Sequence, residues 1–489
     1  MKRESRGYVT EPSKTIPVAQ DVDVAVIGGG CAGIFAGLAA ARMGVDTVLI
    51  DRFGSLGGNI GPGYLIGGGA TAEKFVLGSR MPGIPEEFFR RAEEIGSVQG
   101  VKYSGISNTV SYLSFKMAEE SGLKLILSAY AADPIMEGRK AAGIYIEGKS
   151  GRTAIKAKVL IDATGDASIA KRAGAGIINN VSRDYTSYGS LLENFKDDFD
   201  QYNECGLFML IGNADSERYN RFLTENSDIS DEDRAWAEEN LKGPKVDVFS
   251  DAVIPFMRKA WNEDGFRIVK KLRDPDITIS SNRKIGSYGR NIMGGRAAIA
   301  AGEIDTGDTG CISLLERELR IHAFETVQFL KKYVPGFEDA YLMFISPFMG
   351  ARGGPCIEAE HVLTVEDAAG GRRFDDVLFK NYKRRENIWP DWSGSGYDVP
   401  YRMMIPRGID NLLVIGRGAG YIRRGHDGAG MRTRPVQYAL GQAAGTAAAL
   451  CIRESSTVMG LDVKKLQKEL LGEGFDIGDE NRLRELGLR

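Results

Sequence analysis

Cysteine is scarce in this chain: there are five in 489 residues, and no two of them form a C-x-x-C pair. Cys31, Cys205, Cys311, Cys356 and Cys451 are scattered, which argues against zinc sites, iron–sulfur clusters, redox dithiols and a disulfide framework. No metal is therefore expected, and a reducing, cytoplasmic location is. Histidine is scarcer still, at three residues. Neither sign of charge prevails, with 63 Lys and Arg against 66 Asp and Glu, so there is no basic field for nucleic acid or anionic lipid. Long hydrophobic runs are also missing: nothing reaches the ~18 apolar residues of a membrane span, and the charged N-terminus lacks the apolar core of a secretory signal. The expected partner is a small molecule, with no nucleic acid and no membrane. Homo-oligomerisation is left open.

Glycine is abundant instead. The chain holds 62, close to twice the average usage of roughly 7%, while 16 prolines and no G-X-Y period exclude a Pro/Gly-rich tail or collagen. Three clusters stand out: four glycines in 28–33, eight in 54–69 and six in 416–430.

The first cluster has a mechanical reading. Residues 22–27, Val-Asp-Val-Ala-Val-Ile, predict a buried strand that runs into Gly28-Gly29-Gly30-Cys31-Ala32-Gly33, a G-x-G-x-x-G. The Ala-rich stretch from Ile34 to Met43 predicts a buried helix ended by Gly44, and Thr47 to Ile50 predicts a second strand that ends in Asp51. In such a unit Gly28 permits the tight turn, Gly30 lets backbone approach a pyrophosphate, and Gly33 lets the helix pack against the strand. The acid takes ribose hydroxyls. The order of these pieces predicts dinucleotide binding, with Cys31 a small residue tolerated beside phosphate. NAD and FAD share this fingerprint.

Later residues separate them. Asp51 continues into Arg52-Phe53-Gly54-Ser55-Leu56-Gly57-Gly58-Asn59, and at this doublet the sequence resembles the glutathione-reductase-type flavoproteins. Lys158 to Asp166, with Asp162-Ala163-Thr164-Gly165-Asp166, is similar to the strand and turn that close the FAD domain in that class. Asp410 to Arg417 resembles the second flavin-binding strand, and Met431-Arg432-Thr433-Arg434-Pro435 precedes a helix that contains Leu440 to Thr446. Together these motifs, from about residue 16 to about residue 452, resemble the FAD-dependent oxidoreductase family related to the flavin subunit of heterodisulfide reductases. The resemblance implies an α/β fold: a discontinuous Rossmann-like FAD-binding domain of the glutathione-reductase type with an inserted α+β substrate or cap domain. It implies non-covalent FAD held by Gly28, Gly30, Cys31, Ala32, Gly33, Asp51, Arg52, Gly57, Gly58, Asn59, Ala131, Ala163, Thr164, Gly165, Gly416, Arg432 and Val436. Pro435 suits a first helical position, and the resemblance implies that this helix end, with its positive dipole, points at the flavin.

The implied organisation assigns 16–60, 123–179 and 406–452 to the FAD-binding domain, 61–122 and 180–405 to the insertion, and 453–489 to a charged helical C-terminal segment. A Ser230 N-cap predicts a helix with a solvated acidic face, and Leu314 to Tyr333 predicts a long amphipathic helix. His322 on that helix is expected to be structural or exposed.

A flavin enzyme must place its substrate, exclude water and supply an acid or base. His426, in the loop between the second flavin strand and the C-terminal helix, is the candidate for that last task. Arg432 and Arg352 occupy matching family positions and are candidates to hold or polarise a substrate, alongside Arg423, Arg424 and Arg434. The chain departs from the family where Gly428 and Gly430 stand in place of a histidine and a serine. The expected activity is FAD-dependent hydride transfer to or from a small polar substrate at a C–O, C–N or C–C bond. The alternative is an electron-transfer subunit serving a partner redox protein, a class whose cluster-binding cysteines are lacking here. A flavin disulfide reductase is excluded by the absence of a C-x4-C pair and of a second strand-linked G-x-G-x-x-G.

Overall fold

The computed structural model describes residues 7–63, 82–95, 104–180, 205–241, 250–263, 265–272, 277–289, 291–301, 305–351, 354–382, 396–421, 431 and 433–489. The chain opens with β1 (Val18–Ile27), α1 (Gly33–Arg42) and β2 (Thr47–Asp51). Helices α2 (Gly83–Glu94) and α3 (Ser104–Ser121) follow, then β3 (Lys124–Leu127), β4 (Tyr130–Glu137), β5 (Lys140–Gly148) and β6 (Gly151–Asp162). With β17 (Leu412–Val414) these strands form a seven-stranded sheet of order β3-β2-β1-β6-β5-β4. β6 is shared along its length. Its first half pairs antiparallel with β5, and its last residues pair parallel with β17, Leu412 opposite Leu160. All the parallel strands therefore end together, at Ile27, Asp51, Leu127, Asp162 and Val414.

Alternation explains why this sheet is buried on both faces. Val24, Val26, Leu49 and Ile161 enter one core with α1, whereas Ala25, Ile27, Val48 and Leu160 enter another with Ile144 and Ile155 of the β5–β6 hairpin and Ile169 of α4 (Ser168–Arg172). The first face is closed by α10 (Arg434–Arg453), nearly all of whose residues are buried.

A second core lies in the insertion. After β7 (Ile177–Asn180), strands β8 (Cys205–Gly212), β9 (Val269–Leu272), β10 (Ile277–Gly289), β11 (Ile292–Ala301), β12 (Tyr341–Ile345) and β13 (Gly350–Ala351) make a six-stranded antiparallel sheet. Three helices precede its long one: α5 (Ser216–Glu225), α6 (Asp231–Asn240) and α7 (Ile254–Glu263). Helix α8 (Thr309–Tyr333) lays Leu315, Leu319, Ala323 and Val327 on Leu207, Met209 and Ile211. Ser230 caps α6, its hydroxyl accepting from Asp233 N at 3.1 Å, and no residue of α6 is buried, as expected of a solvated acidic face. β14 (Gly354–Ile357) then pairs with β7.

Ile84, Phe88, Val110, Leu113, Phe374 and Tyr401 share one core with α1 and α10. The apolar face of α2 explains this: Phe88 meets Phe35 with ring centroids 5.4 Å apart, and Phe89 meets Tyr438 at 5.1 Å. Helix α9 (Val365–Ala369) and strands β15 (Val377–Asn381) and β16 (Tyr397–Pro400) belong there too, with Phe379 and Tyr397 buried in that core. The C-terminal helices α11 (Val463–Gly472) and α12 (Glu480–Glu485) add Leu466, Leu470 and Leu483 to it. The described strands of the six-stranded sheet fall between Cys205 and Ala351. Among the described residues no helix is long and apolar enough to cross a membrane.

His322 is a core residue, fully buried and stacked on Phe266 with centroids 6.1 Å apart. Burial, helped by the charge of Lys270, pulls its imidazole down to about 4. The unfolded chain, near 6.5, therefore binds the extra proton first, so stability is complete above pH ~6.5 and falls as pH drops toward 4. A denaturation series should show a loss of roughly 3 kcal/mol by pH 4 that His322→Phe lacks. Parallel pH profiles of the two proteins would refute it.

Candidate functional site

The glycine turn sits where the parallel strands end. Gly28 takes φ +107°, and a Cβ there would lie 2.6 Å from the Ala163 carbonyl oxygen, so the first turn is pressed against the end of β6. A Cβ on Gly33 would collide with the carbonyl of Gly28, which is why α1 can begin this close to its own strand. Gly30 differs: a Cβ there would meet no described residue within 4 Å. Two of the three glycines serve packing within the chain, and the middle one presents bare backbone to open space. The first amides of α1 lack intrahelical acceptors and carry the positive end of the helix dipole.

Asp51 anchors this loop. Its Oδ2 accepts from Gly29 N at 2.6 Å and its Oδ1 from Phe53 N at 2.7 Å, while burial pushes the carboxyl above the usual aspartate range. Each oxygen keeps a lone pair for a further donor such as a ribose hydroxyl. Gly57 N donates to Gly29 O at 2.9 Å, and Gly58, at φ +49°, stands so near that its Cβ would be 3.0 Å from Gly30 Cα. The doublet is thus a second wall beside Gly30, continued by Asn59 in a short 3-10 turn. Arg52 lies over the Phe53 ring at 4.7 Å, and Phe53 stacks on Phe348 of the insertion at 4.5 Å. Burial raises the Cys31 thiol, the reverse of an activated nucleophile, and Ala32 is the N-cap of α1. Ala131 lies in β4, two residues beyond Ala129, whose amide donates to the Asp51 carbonyl at 3.2 Å.

The turn after β6 is built by a residue to which sequence reasoning gave no role. Asp162 is fully buried: Oδ1 accepts from Thr164 N and Oγ1 at 3.0 and 2.6 Å, and Oδ2 from Ile169 N and Ala170 N at 3.0 and 2.9 Å. Burial raises its carboxyl and these donors pull against that rise. The carboxylate holds Ala163, Thr164 and Gly165 in one shape and caps α4. Its placement at the end of a β-branched run, before Ala-Thr-Gly, was the available signal. Gly165 and Gly416, at φ +84° and +74°, face each other across β6 and β17, and Arg417 donates to Ala351 O at 2.8 Å, tying this edge to the insertion. Helix α10 begins at Arg434 with Pro435 in its first turn and Val436 fully buried. Gln437, one residue on, is a second omission: 5% exposed, with an Oε1 that has no hydrogen-bond partner among the described residues.

The candidate catalytic residues His426, Arg432 and Arg352 lie outside the described residues, as do Arg423 and Arg424. The other expected contacts gather on one edge, from Asp51 through Gly28–Gly33, Gly57–Asn59 and Ala163–Gly165 to Gly416 and Val436. These residues fit a dinucleotide such as FAD. A bare Gly30 flanked by a helix start suits a diphosphate, a half-buried carboxylate suits a ribose, and the Gln437 amide oxygen, unpaired among the described residues, awaits a donor.

The sequence model of the FAD dependent oxidoreductase family matches residues 23–470. A thiamine thiazole synthase from Pyrobaculum aerophilum is 29% identical over 136 residues, 27% of this chain and 48% of that protein. The chain thus spans about half the length of the curated relative it matches. Among solved structures, a geranylgeranyl bacteriochlorophyll reductase-like protein from Thermoplasma acidophilum aligns with TM-score 0.41 at 14% identity, over 96% of this chain and 87% of that one. The anhydrotetracycline hydroxylase OxyS from Streptomyces rimosus aligns with TM-score 0.39 at 10% identity, over 96% and 69%. With the family model matched over nearly its whole length, the chain belongs to the FAD-dependent oxidoreductase family.

Proposed function

We propose that this protein is a flavoenzyme that moves a hydride between a small polar substrate, at a C–O, C–N or C–C bond, and the N5 atom of a non-covalent FAD. The observation that carries the reading is the bare backbone of Gly30 between the start of α1 and the Gly57-Gly58 wall, one strand away from the Gly165–Gly416 pair. In this arrangement Asp51 holds the ribose, the first turn of α1 holds the diphosphate, and the edge formed by Gly165, Gly416 and α10 holds the flavin end. FAD supplies a reversible hydride acceptor when bound.

The chain's own residues have three tasks. Segments 16–60, 123–179 and 406–452 bind the cofactor, and the six-stranded unit, tied on by Arg417 and by Phe348 against Phe53, covers the site and excludes water. The amino end of α10 presents a positive field to this edge, so negative charge that develops there is stabilised. His426 takes or returns the substrate proton, and Arg352 and Arg432 orient a carboxylate or phosphate on the substrate.

Purified protein should show flavin absorbance and release FAD on denaturation. A colourless protein that binds no added FAD would end this reading. Under anaerobic conditions one class among alcohols, amines and hydroxy acids should bleach the flavin. His426→Asn should slow that half-reaction by about a hundredfold or more, the ordinary contribution of a general acid or base. An unchanged bleaching rate would remove His426 from the mechanism.

A further inference from the structure

The unpartnered oxygen of Gln437 points to a specific use. Gln437 lies early in α10, where its backbone N–H donates to Thr433 O at 3.2 Å. Its side-chain Nε2 donates to the Met431 carbonyl oxygen. This bond settles the orientation of the amide, because the reversed group would set two oxygens against each other. Oε1 is thereby turned the other way, buried and without a hydrogen bond among the described residues. It looks onto the bare face of Gly416: a Cβ there would stand 4.0 Å from Oε1 and 4.0 Å from Gly165 Cα. A buried amide oxygen left unpaired is costly, so a donor from a ligand is favoured at this point.

The chemistry selects which donor. Phosphate oxygens at neutral pH only accept, so Oε1 cannot serve the diphosphate and would repel it. The diphosphate is assigned to Gly28–Gly33 and the adenosine ribose to Asp51. Gly28 is packed on Ala163, two residues before Gly165, so the Gly165–Gly416 slot is the next place along the sheet edge. In FAD the group that follows the diphosphate toward the flavin is the ribityl chain, whose hydroxyls donate. We propose that Gln437 Oε1 accepts a hydrogen bond from a ribityl hydroxyl of FAD and so positions the flavin over this edge. The proposal rests on the FAD reading above. Gln437 acts here as a positioning residue, apart from any proton transfer.

The test is a binding cycle on the full chain stripped of flavin, read by quenching of flavin fluorescence. Gln437→Leu should bind FAD about tenfold more weakly than the unmodified protein. FAD analogues that lack one ribityl hydroxyl, at the 2′, 3′ or 4′ position, should single out one position. That analogue should bind the unmodified protein about tenfold more weakly than FAD, and bind Gln437→Leu no more weakly than FAD does. A merely structural role for Gln437 would weaken FAD and all analogues alike and leave no such coupling. Should the variant fail to fold, the analogue series on the unmodified protein still decides, since equal binding of all three analogues and FAD overturns the proposal. Unchanged FAD affinity in Gln437→Leu, or coupling to no hydroxyl, overturns it as well. Absence of any FAD binding by the unmodified protein would instead overturn the FAD reading.

Discussion

Gly30→Asp is expected to leave the protein folded and to abolish FAD binding. No described residue lies within 4 Å of a Cβ at this position, and Gly30 is not among the glycines with positive φ, so among the described residues the substitution meets neither a clash nor backbone strain. What it meets is the ligand. The new carboxylate fills the space where bare backbone approaches the diphosphate, and it places like charge within a few ångströms of the phosphates. We expect at least a hundredfold loss of FAD affinity, about 3 kcal/mol, with a melting temperature of the flavin-free protein unchanged to within about 2 °C. Flavin titration and thermal denaturation of the same sample check both halves. Retention of flavin by the variant would show that the diphosphate lies elsewhere. Gly33→Ala makes the contrast, because its Cβ strikes the Gly28 carbonyl and damages the fold itself.

Gly441→Leu should have the largest effect on stability. A Cβ on Gly441 would run into the backbone carbonyl of Ala32, and one on Gly445, a turn later, into that of Ala36. Helices α1 and α10 therefore cross with their backbones in contact, and no side-chain rotation can make room. Separating them would open the core that holds Phe35, Leu38, Tyr438 and Leu440. The expected cost is about 4 kcal/mol or more, seen as a lowered denaturation midpoint or as failure to accumulate folded protein. The smaller change Gly441→Ala gives a sharper sign. Helix propensity alone predicts a gain of about 1 kcal/mol, whereas the crossing predicts a net loss. A stabilised alanine variant would mean that the helices do not meet there.

The site was legible in sequence wherever its geometry is local. Gly28, Gly30 and Gly33 lie within one turn of chain between a strand and a helix, so the tight turn at Gly28 and the close packing at Gly33 could be read from the motif. The same holds for Asp51 at the end of β2, for the Gly57-Gly58 doublet, and for Pro435 in the first turn of α10. Asp162 was quoted only as part of a strand, because nothing in its spacing says that Ile169 and Ala170 return to donate to it. Gln437 was passed over because an amide in an Ala-rich helix looks like an ordinary polar substitution until burial leaves its oxygen without a partner.

What the sequence by itself determined is the kind of unit: strand, glycine turn, buried helix, strand and acid, followed by the closing strands in the flavoprotein order. Those features depend on residues within about thirty positions of one another, where backbone sterics and hydrophobic period leave few choices. Only the tertiary structure decided the partners. Periodicity marks Ile84, Phe88 and Phe89 as the apolar face of α2 but does not say that the face closes on α1 and α10. The contact that seals it, Ile84 N donating to Gln442 Oε1 at 2.9 Å, joins residues 358 positions apart. An amphipathic pattern specifies how much surface must be hidden. Which surface hides it depends on packing over the whole chain, and so does the pairing of a lone buried oxygen with the slot between Gly165 and Gly416.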